Sequence, residues 1–409
     1  MLEVNRERMH EKLSAFSKFG ALEGGGITRL SLSEPALAAR AEFKERVESL
    51  GMILESDDIG NLYATWPGTV EGLPRIVMGS HIDSVRNGGN YDGVYGVLAS
   101  LEVAETVITE GIKLRHPITV MIWTNEEGAR FEPAMMSSGI VMKKFAKEAM
   151  LAVVETGGTV TFGEALEASG WIGDEANRLN DRDYCAYFEP HIEQGPVLEE
   201  EGLDIGVVAG VVGMVNYDII LEGVSSHAGT TPQSYRKDAL RAASKVVMDL
   251  WDKLGALADD LVFTMGEITC RPNIHTVVPN YVKFSLDARH QDMNIVGKVV
   301  DVVKALPSEV YGCKLSYEEH WGRKTIQFDE RLLGYLETTT KGLGYSCKRM
   351  YSGAGHDAQY VSELLPSAMI FIPSKDGLSH TVVEYSSPEQ AWRGANVLLN
   401  ALVEADQSF

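Results

Sequence analysis

The sequence predicts an α/β protein whose larger domain is built in two pieces around an inserted βαββαβ module. Three observations carry this expectation. Over residues 1–210, short apolar runs alternate with amphipathic stretches, the pattern of helices laid on the faces of a sheet. Over 213–322 the order changes to strand, helix, strand, strand, helix, strand. From Phe328 onward the first pattern resumes.

In chain order, helical patterning is expected over 34–50, 95–110 and 161–169, with strands over 61–66, 76–78, 119–123, 186–188 and 205–212. The insert is expected to hold strands at 217–222, 261–269, 281–289 and 313–319, and amphipathic helices at 235–254 and 294–306. That order is the split, ferredoxin-like arrangement. A helix at 330–341, a strand at 368–373 and a closing helix at 388–405 complete the parent domain. The domains are therefore expected at 1–212 with 325–409, and at 213–324. Linkers near 210–214 and 322–328 would let the insert swing over a site and exclude water.

Composition narrows the function classes. At 409 residues, with 44% apolar and 23% charged residues, the chain is long enough for two domains and a sizeable core. Its net charge of −21 opposes binding to nucleic acid or to an anionic membrane. No apolar run approaches the ~20 residues of a membrane span, and Met-Leu-Glu-Val-Asn-Arg-Glu-Arg lacks a secretory apolar region. The four cysteines (185, 270, 313, 347) show no paired spacing and read as free buried thiols of a reduced compartment. A cytoplasmic location is expected.

Chemistry concentrates where apolar runs end. Arg75-Ile-Val-Met78 leads into Gly-Ser-His81-Ile-Asp83, and a glycine-rich loop carries Asp92. His116-Pro-Ile-Thr-Val-Met-Ile-Trp123 ends in Thr-Asn-Glu126-Glu127-Gly128. Tyr184-Cys-Ala-Tyr-Phe188 leads to His191, and Ala368-Met-Ile-Phe-Ile-Pro373 leads to His380. A lone His-x-Asp is more often a turn feature, and a lone Glu-Glu more often solvated. Four runs that each deliver His, Asp or Glu at a strand end point instead to one convergent site, where open α/β sheets bind ligands. Adjacent carboxylates repel unless a proton or cation separates them, so the residues read as a metal hydrolase.

These stretches resemble the hydantoinase/carbamoylase family, within the dinuclear zinc aminoacylases and aminopeptidases. The matching segments are Gly-Gly-Ile-Thr-Arg-Leu (25–30), Gly-Ser-His-Ile-Asp-Ser (79–84), Asn-Gly-Gly-Asn-Tyr-Asp-Gly (87–93) and Trp-Thr-Asn-Glu-Glu-Gly-Ala-Arg-Phe (123–131). They continue with His-Ile-Glu-Gln-Gly-Pro (191–196), Ser-His-Ala-Gly-Thr-Thr-Pro (226–232), Ser-Gly-Ala-Gly-His-Asp-Ala (352–358) and Ile-Pro-Ser-Lys-Asp-Gly-Leu-Ser-His (372–380). They run in the family's order, and together they are specific.

The resemblance implies a zinc-aminopeptidase-like catalytic domain with a lid and dimerisation insert, acting as a homodimer. It implies two divalent ions per subunit, Zn²⁺ first, with Mn²⁺, Co²⁺ or Ni²⁺ able to occupy such a mixed nitrogen and oxygen set. His81 and His191 would bind one ion, Glu127 and His380 the other, and Asp92 both. Asp83 would accept the second ring N–H of His81. Glu126 would act as general base on the attacking water and then as acid to the leaving nitrogen. His227 would stabilise the oxyanion, commonly across a dimer interface, where without the resemblance it would read as a surface histidine. Arg289 would grip a substrate carboxylate in a bidentate fork, against the plainer reading of a strand-end salt bridge. Gln194 and Gly355 would contact the ureido group and carboxylate.

Two departures bear on substrate. Thr276 stands where the family usually has Asn; it offers a hydroxyl without an amide fork, and His275 or Asn273 is placed to compensate. Allantoate-hydrolysing relatives tend to carry Arg after the Val-Val-Gly turn, where this chain has Met214-Val-Asn216. The activity implied is hydrolysis of the ureido C–N bond of N-carbamoyl-L-amino acids to the amino acid, ammonia and carbon dioxide. The rivals are allantoate, the N-carbamoyl-β-alanine of β-ureidopropionases (which the 375–389 stretch also resembles), and N-acyl amino acids or dipeptides.

Overall fold

Four of the apolar runs become the centre of one mixed sheet. The computed structural model describes residues 1–409, the side chain of Trp321 apart. Contacts divide the chain into two units, 1–210 with 327–409, and 211–326.

In the larger unit the strands Ile118–Trp123, Arg75–His81, Tyr184–Ile192 and Ser367–Ile372 lie side by side and run parallel. Their burial is almost unbroken, which is why they appear in the sequence as continuous rather than alternating apolar runs. Antiparallel strands flank them, Leu62–Trp66 and Ile53–Ser56 on one side and Ile205–Val211 on the other. The helix Val94–Thr109 is apolar nearly all round because it is buried nearly all round. The closing helix Pro388–Ser408 opens with proline in its first turn and a capping box between Ser387 and Gln390. It runs past the expected 405.

Several elements were not anticipated, among them one helix and two strands. The helix Arg6–Phe16 carries only a narrow apolar stripe, Met9, Leu13 and Phe16; it buries these together with Lys12, whose Nζ lies 2.6 Å from both Glu102 and Glu105. The strands Ile53–Ser56 and Cys347–Ser352 are half-exposed and carry no strong apolar pattern.

The smaller unit holds an antiparallel sheet with the order Ile268–Arg271, Tyr281–His290, Gly213–Glu222, Cys313–Arg323, the strand order of a ferredoxin-like module. Burial alternates strictly along Tyr281–His290. Its inward side chains meet Ala242, Val246 and Leu250 of the helix Ala239–Gly255 and Val296, Val299 and Val303 of the helix Met293–Lys304.

Some expected elements differ in detail. The strand expected over 261–269 is two strands, Val262–Thr264 and Ile268–Arg271. Thr264 lies opposite Asp287 and Ile268 opposite Phe284, so four steps on one strand face three on its partner. The extra residue, at Met265-Gly266-Glu267, is a bulge. The helix expected from 235 begins at Ala239, because Asp238 caps it by accepting from the amides of Leu240 and Arg241. All four cysteines are free, but only Cys313 is buried; Cys185, Cys270 and Cys347 are half-buried. No helix is long and apolar enough to cross a membrane among the described residues.

Candidate metal centre

Parallel pairing puts the carboxyl ends of the central strands at one edge: His81 is opposite Trp123, and His191 opposite Phe371. The chain then turns over this edge. Glu126 and Glu127 follow Trp123, and His380 follows the strand Ser367–Ile372. Asp92 comes from the turn ahead of the helix Val94–Thr109. Gly93 next to it has φ +64°, and a Cβ there would lie 2.2 Å from the His81 ring. No side chain fits, so glycine is what lets Asp92 approach His81.

Two groups result, each with ligand atoms within 4.8 Å of one another: His81, Asp92 and His191, and Asp92, Glu127 and His380. Asp92 Oδ1 faces the first, 3.2 Å from His191 Nε2 and 3.7 Å from His81 Nε2. Asp92 Oδ2 faces the second, 3.3 Å from His380 Nε2, which is itself 3.3 Å from Glu127 Oε2. Glu126 Oε2 stands beside them, 3.5 Å from His81 Nε2. Only His380, with half its side chain exposed, opens to solvent; the others are almost wholly buried.

The two buried imidazoles are oriented by backbone. His191 Nδ1 lies 2.9 Å from the Ile192 carbonyl and His81 Nδ1 3.0 Å from that of Asp83. A carbonyl only accepts, so Nδ1 carries a hydrogen and Nε2 is left facing the Asp92 carboxylate. A ring nitrogen and a carboxylate oxygen facing across 3.2 Å call for a positive charge between them, a proton or a metal ion. His191 Nε2 and Glu127 Oε1 are buried with no hydrogen-bond partner, which native interiors rarely tolerate. The donor set fits a pair of divalent ions.

Electrostatics agree. Burial, and then the neighbouring Asp357, Glu127, Asp83 and Asp92, push Glu126 well above the ordinary carboxylate range. Glu127 is raised likewise, by burial and then by Asp92 and Asp83. Burial also works against the charge of Asp92, but His191, His380 and His81 outweigh it and hold that carboxyl well below its usual value. Against burial, Asp92 lifts His191 to about 8. Crowded, desolvated carboxylates of this kind mark functional sites.

Asp83 corrects an expectation. Its carboxylate does not accept the His81 ring N–H; it stands 3.8 Å from Nδ1, while its backbone carbonyl occupies that place. The carboxylate instead accepts the amides of Glu126 (3.3 Å) and Glu127 (3.2 Å). The chain bends back after His81, which brings the carbonyl to the ring and frees the carboxylate for the neighbouring turn. Buried Arg29 and Arg40 lend it positive potential. Arg29 Nε also donates to the Ile82 carbonyl at 2.6 Å, and Arg40 donates to Gly60 O and Thr124 Oγ1.

Gln194 lies at the centre, its Nε2 donating to Asp92 Oδ2 at 2.7 Å and its Oε1 buried without a partner. Gly355 adjoins the same region: His356, next in the chain, packs its ring 4.5 Å from that of His191, and a Cβ on Gly355 would lie 3.0 Å from the Met135 methyl. Asn125 and Gln194, like His380, hold positive φ without being glycine; such strain clusters at functional sites.

The remaining candidates belong to the smaller unit. His227 is exposed and opposite Val277 in a two-stranded pairing, and Thr276 O accepts the amide of Ala228, so His227 and Thr276 are neighbours. Asn273 is exposed with φ +57°. Arg289 donates from Nε to Asp287 Oδ1 at 2.7 Å and from a terminal nitrogen to Oδ2 at 3.3 Å, both on its own strand. Sequence reasoning assigned no role to Arg29, Ser379 or Glu384, although each lies in or beside a motif it had singled out.

Comparison with known proteins gives one answer. The model of peptidase family M20/M25/M40 matches residues 77–404. An allantoate amidohydrolase of Bacillus subtilis (strain 168) is 34% identical over 389 residues, covering 94% of each chain. An N-carbamoyl-L-amino-acid amidohydrolase of Rhizobium meliloti is 35% identical over 98% of this chain and 96% of that one. The crystal structure of a hydantoinase/carbamoylase family amidase from Burkholderia multivorans superposes with a TM-score of 0.90 at 36% identity, covering 98% of both chains. The chain belongs to peptidase family M20/M25/M40, and within it to the hydantoinase/carbamoylase amidases, hydrolases of amide bonds.

Proposed function

We propose that the protein hydrolyses the ureido C–N bond of N-carbamoyl-L-amino acids, releasing the amino acid, ammonia and carbon dioxide. The observation that carries this reading is the pair of three-residue groups sharing Asp92, with Glu126 alongside. His81, Asp92 and His191 would hold one divalent ion, and Asp92, Glu127 and His380 a second, zinc being the first candidate ahead of Mn²⁺, Co²⁺ and Ni²⁺. When bound, the ions supply Lewis acidity, sharpening a water as nucleophile and offsetting the crowded carboxylates.

The chain's own groups do the rest. Glu126, raised by burial and by its acidic neighbours, takes a proton from the attacking water and hands it to the leaving nitrogen. A urea carbonyl is a poor electrophile because two nitrogens donate into it, so the developing oxyanion needs a donor. His227 fills that role in this reading. Arg289 exchanges Asp287 for the substrate carboxylate, with Thr276, Asn273, Gln194 and Gly355 completing recognition. The unit 211–326 serves as lid and as the face of a homodimer.

A second reading, allantoate hydrolysis, is favoured by the 34% identity to the Bacillus subtilis enzyme and opposed by Met214-Val-Asn216 in place of arginine. The test is ammonia release from N-carbamoyl-L-amino acids, N-carbamoyl-β-alanine and allantoate with added Zn²⁺, Mn²⁺ or Co²⁺. Fastest turnover of a carbamoyl-L-amino acid supports the proposal. Turnover restricted to allantoate or N-carbamoyl-β-alanine selects a rival, and turnover restricted to acetylated amino acids or dipeptides refutes the ureido reading.

A further inference from the structure

We propose that Glu384 is a positioning residue: it ties the Asp92 turn to the segment carrying His380 and so sets how tightly the Asp92–Glu127–His380 group holds its ion. This rests on the metal-centre reading above and adds a residue to it.

The geometry is specific. Glu384 is buried. Its Oε1 accepts the backbone amides of Tyr91 at 2.9 Å and Asp92 at 3.0 Å, across nearly three hundred residues of chain. Its Oε2 lies 2.8 Å from Ser379 Oγ, which is also 2.9 Å from Asp92 Oδ2. One carboxylate therefore grips the shared ligand by its backbone, and Ser379, in reach of both carboxylates, hydrogen-bonds to one or the other from between them. Gly89 makes room for it: a Cβ there would lie 2.1 Å from Glu384 Oε1.

Why the second group needs such a clamp follows from its composition. His81 and His191 are buried and oriented by carbonyls. His380 is half exposed and sits at φ +57°, a conformation a non-glycine residue keeps only when its surroundings impose it. The Ser379–Glu384 contact supplies part of that constraint on the residue immediately before it.

Hydrogen-bond counting gives a discriminating variant. Ser379 has one hydroxyl hydrogen and two carboxylate oxygens in reach, so it donates to one at a time. With glutamine at 384, Oε1 still accepts both amides, while the amide nitrogen donates to Ser379 Oγ and leaves its hydrogen for Asp92. Glu384→Gln thus preserves the clamp without its charge. Glu384→Ala leaves two amides unsatisfied and Ser379 unanchored.

The experiment is Zn²⁺ titration by calorimetry of metal-free wild type, Glu384→Gln, Glu384→Ala and Ser379→Ala, with circular dichroism and thermal melts of the same samples. Wild type is expected to bind two equivalents. Glu384→Ala should weaken the second by about 10–100-fold and the first by less, because Asp92 serves both; Ser379→Ala should weaken the second more than the first, and Glu384→Gln should restore it. Two unchanged equivalents in Glu384→Ala overturn the proposal, as does a Gln variant as weak as Ala. If Glu384→Ala does not fold, unchanged binding in Ser379→Ala overturns it instead. Wild type binding fewer than two equivalents is a different failure, that of the metal-centre reading, and takes this proposal with it.

Discussion

The two units present their chemistry-bearing residues in opposite ways. In the larger one, His81, Asp92, Glu126, Glu127 and His191 are sunk at a sheet edge, each held by backbone or by another buried group. In the smaller one, His227, Asn273 and Thr276 lie exposed on short strands and turns, and Arg289 is half exposed against Asp287. The difference teaches what each set can do alone. Buried, oriented donors with unpartnered lone pairs are preorganised for a cation and for proton movement. Exposed side chains are free to change partners, which suits recognition that forms only with substrate.

The largest expected effect attacks the buried set as a whole. Chelation should abolish turnover, and re-added Zn²⁺, Mn²⁺ or Co²⁺ should restore it. An ion that binds only the folded chain stabilises it by about 2.7 kcal/mol at a hundredfold excess over Kd, so the melting temperature should fall on chelation. An unchanged melt and unchanged rate would leave the two groups without a role.

Next comes Glu126→Gln, which should keep the metal content and lower kcat by about 10²–10⁴-fold. Turnover near wild type would remove Glu126 as the proton carrier. The exposed set is tested by His227→Ala, expected to lower kcat by about 10²–10³-fold while metal content and melting temperature stay level. Stability should barely move, because exposed positions seldom matter by more than about 0.5 kcal/mol. A loss of metal instead would blur the division between the units.

The smallest effect is expected from Arg289→Lys. It should raise KM for carboxylate-bearing substrates by roughly 10–100-fold, the worth of a charge-assisted bond, because lysine lacks the planar fork. Unchanged KM would leave Arg289 as the partner of Asp287 and nothing more.

What could be read from the sequence follows the range of the interactions involved. The central strands announced themselves because burial on both faces makes an unbroken apolar run. Ligand-type residues at their ends followed from the rule that parallel strands deliver function at their carboxyl edge. The helix Arg6–Phe16 escaped because its apolar stripe is only Met9, Leu13 and Phe16 among charged residues, and part of its anchor is the buried Lys12 with Glu102 and Glu105, some ninety residues away. The bulge at Met265-Gly266-Glu267 escaped because apolar content runs through it, while only the partner strand reveals the register shift.

By itself the sequence determined local matters: the α/β alternation, the inserted module, the residue types able to bind metal, and the glycine that Asp92 needs beside it. Each depends on burial patterns or backbone preferences within a short stretch. Only the tertiary structure decided that Asp83 serves the Glu126–Glu127 amides rather than the His81 ring, and that Glu384 reaches Asp92. Those are hydrogen bonds between segments distant in the chain, and their partners are chosen by how the loops pack over the sheet edge, which no local pattern encodes.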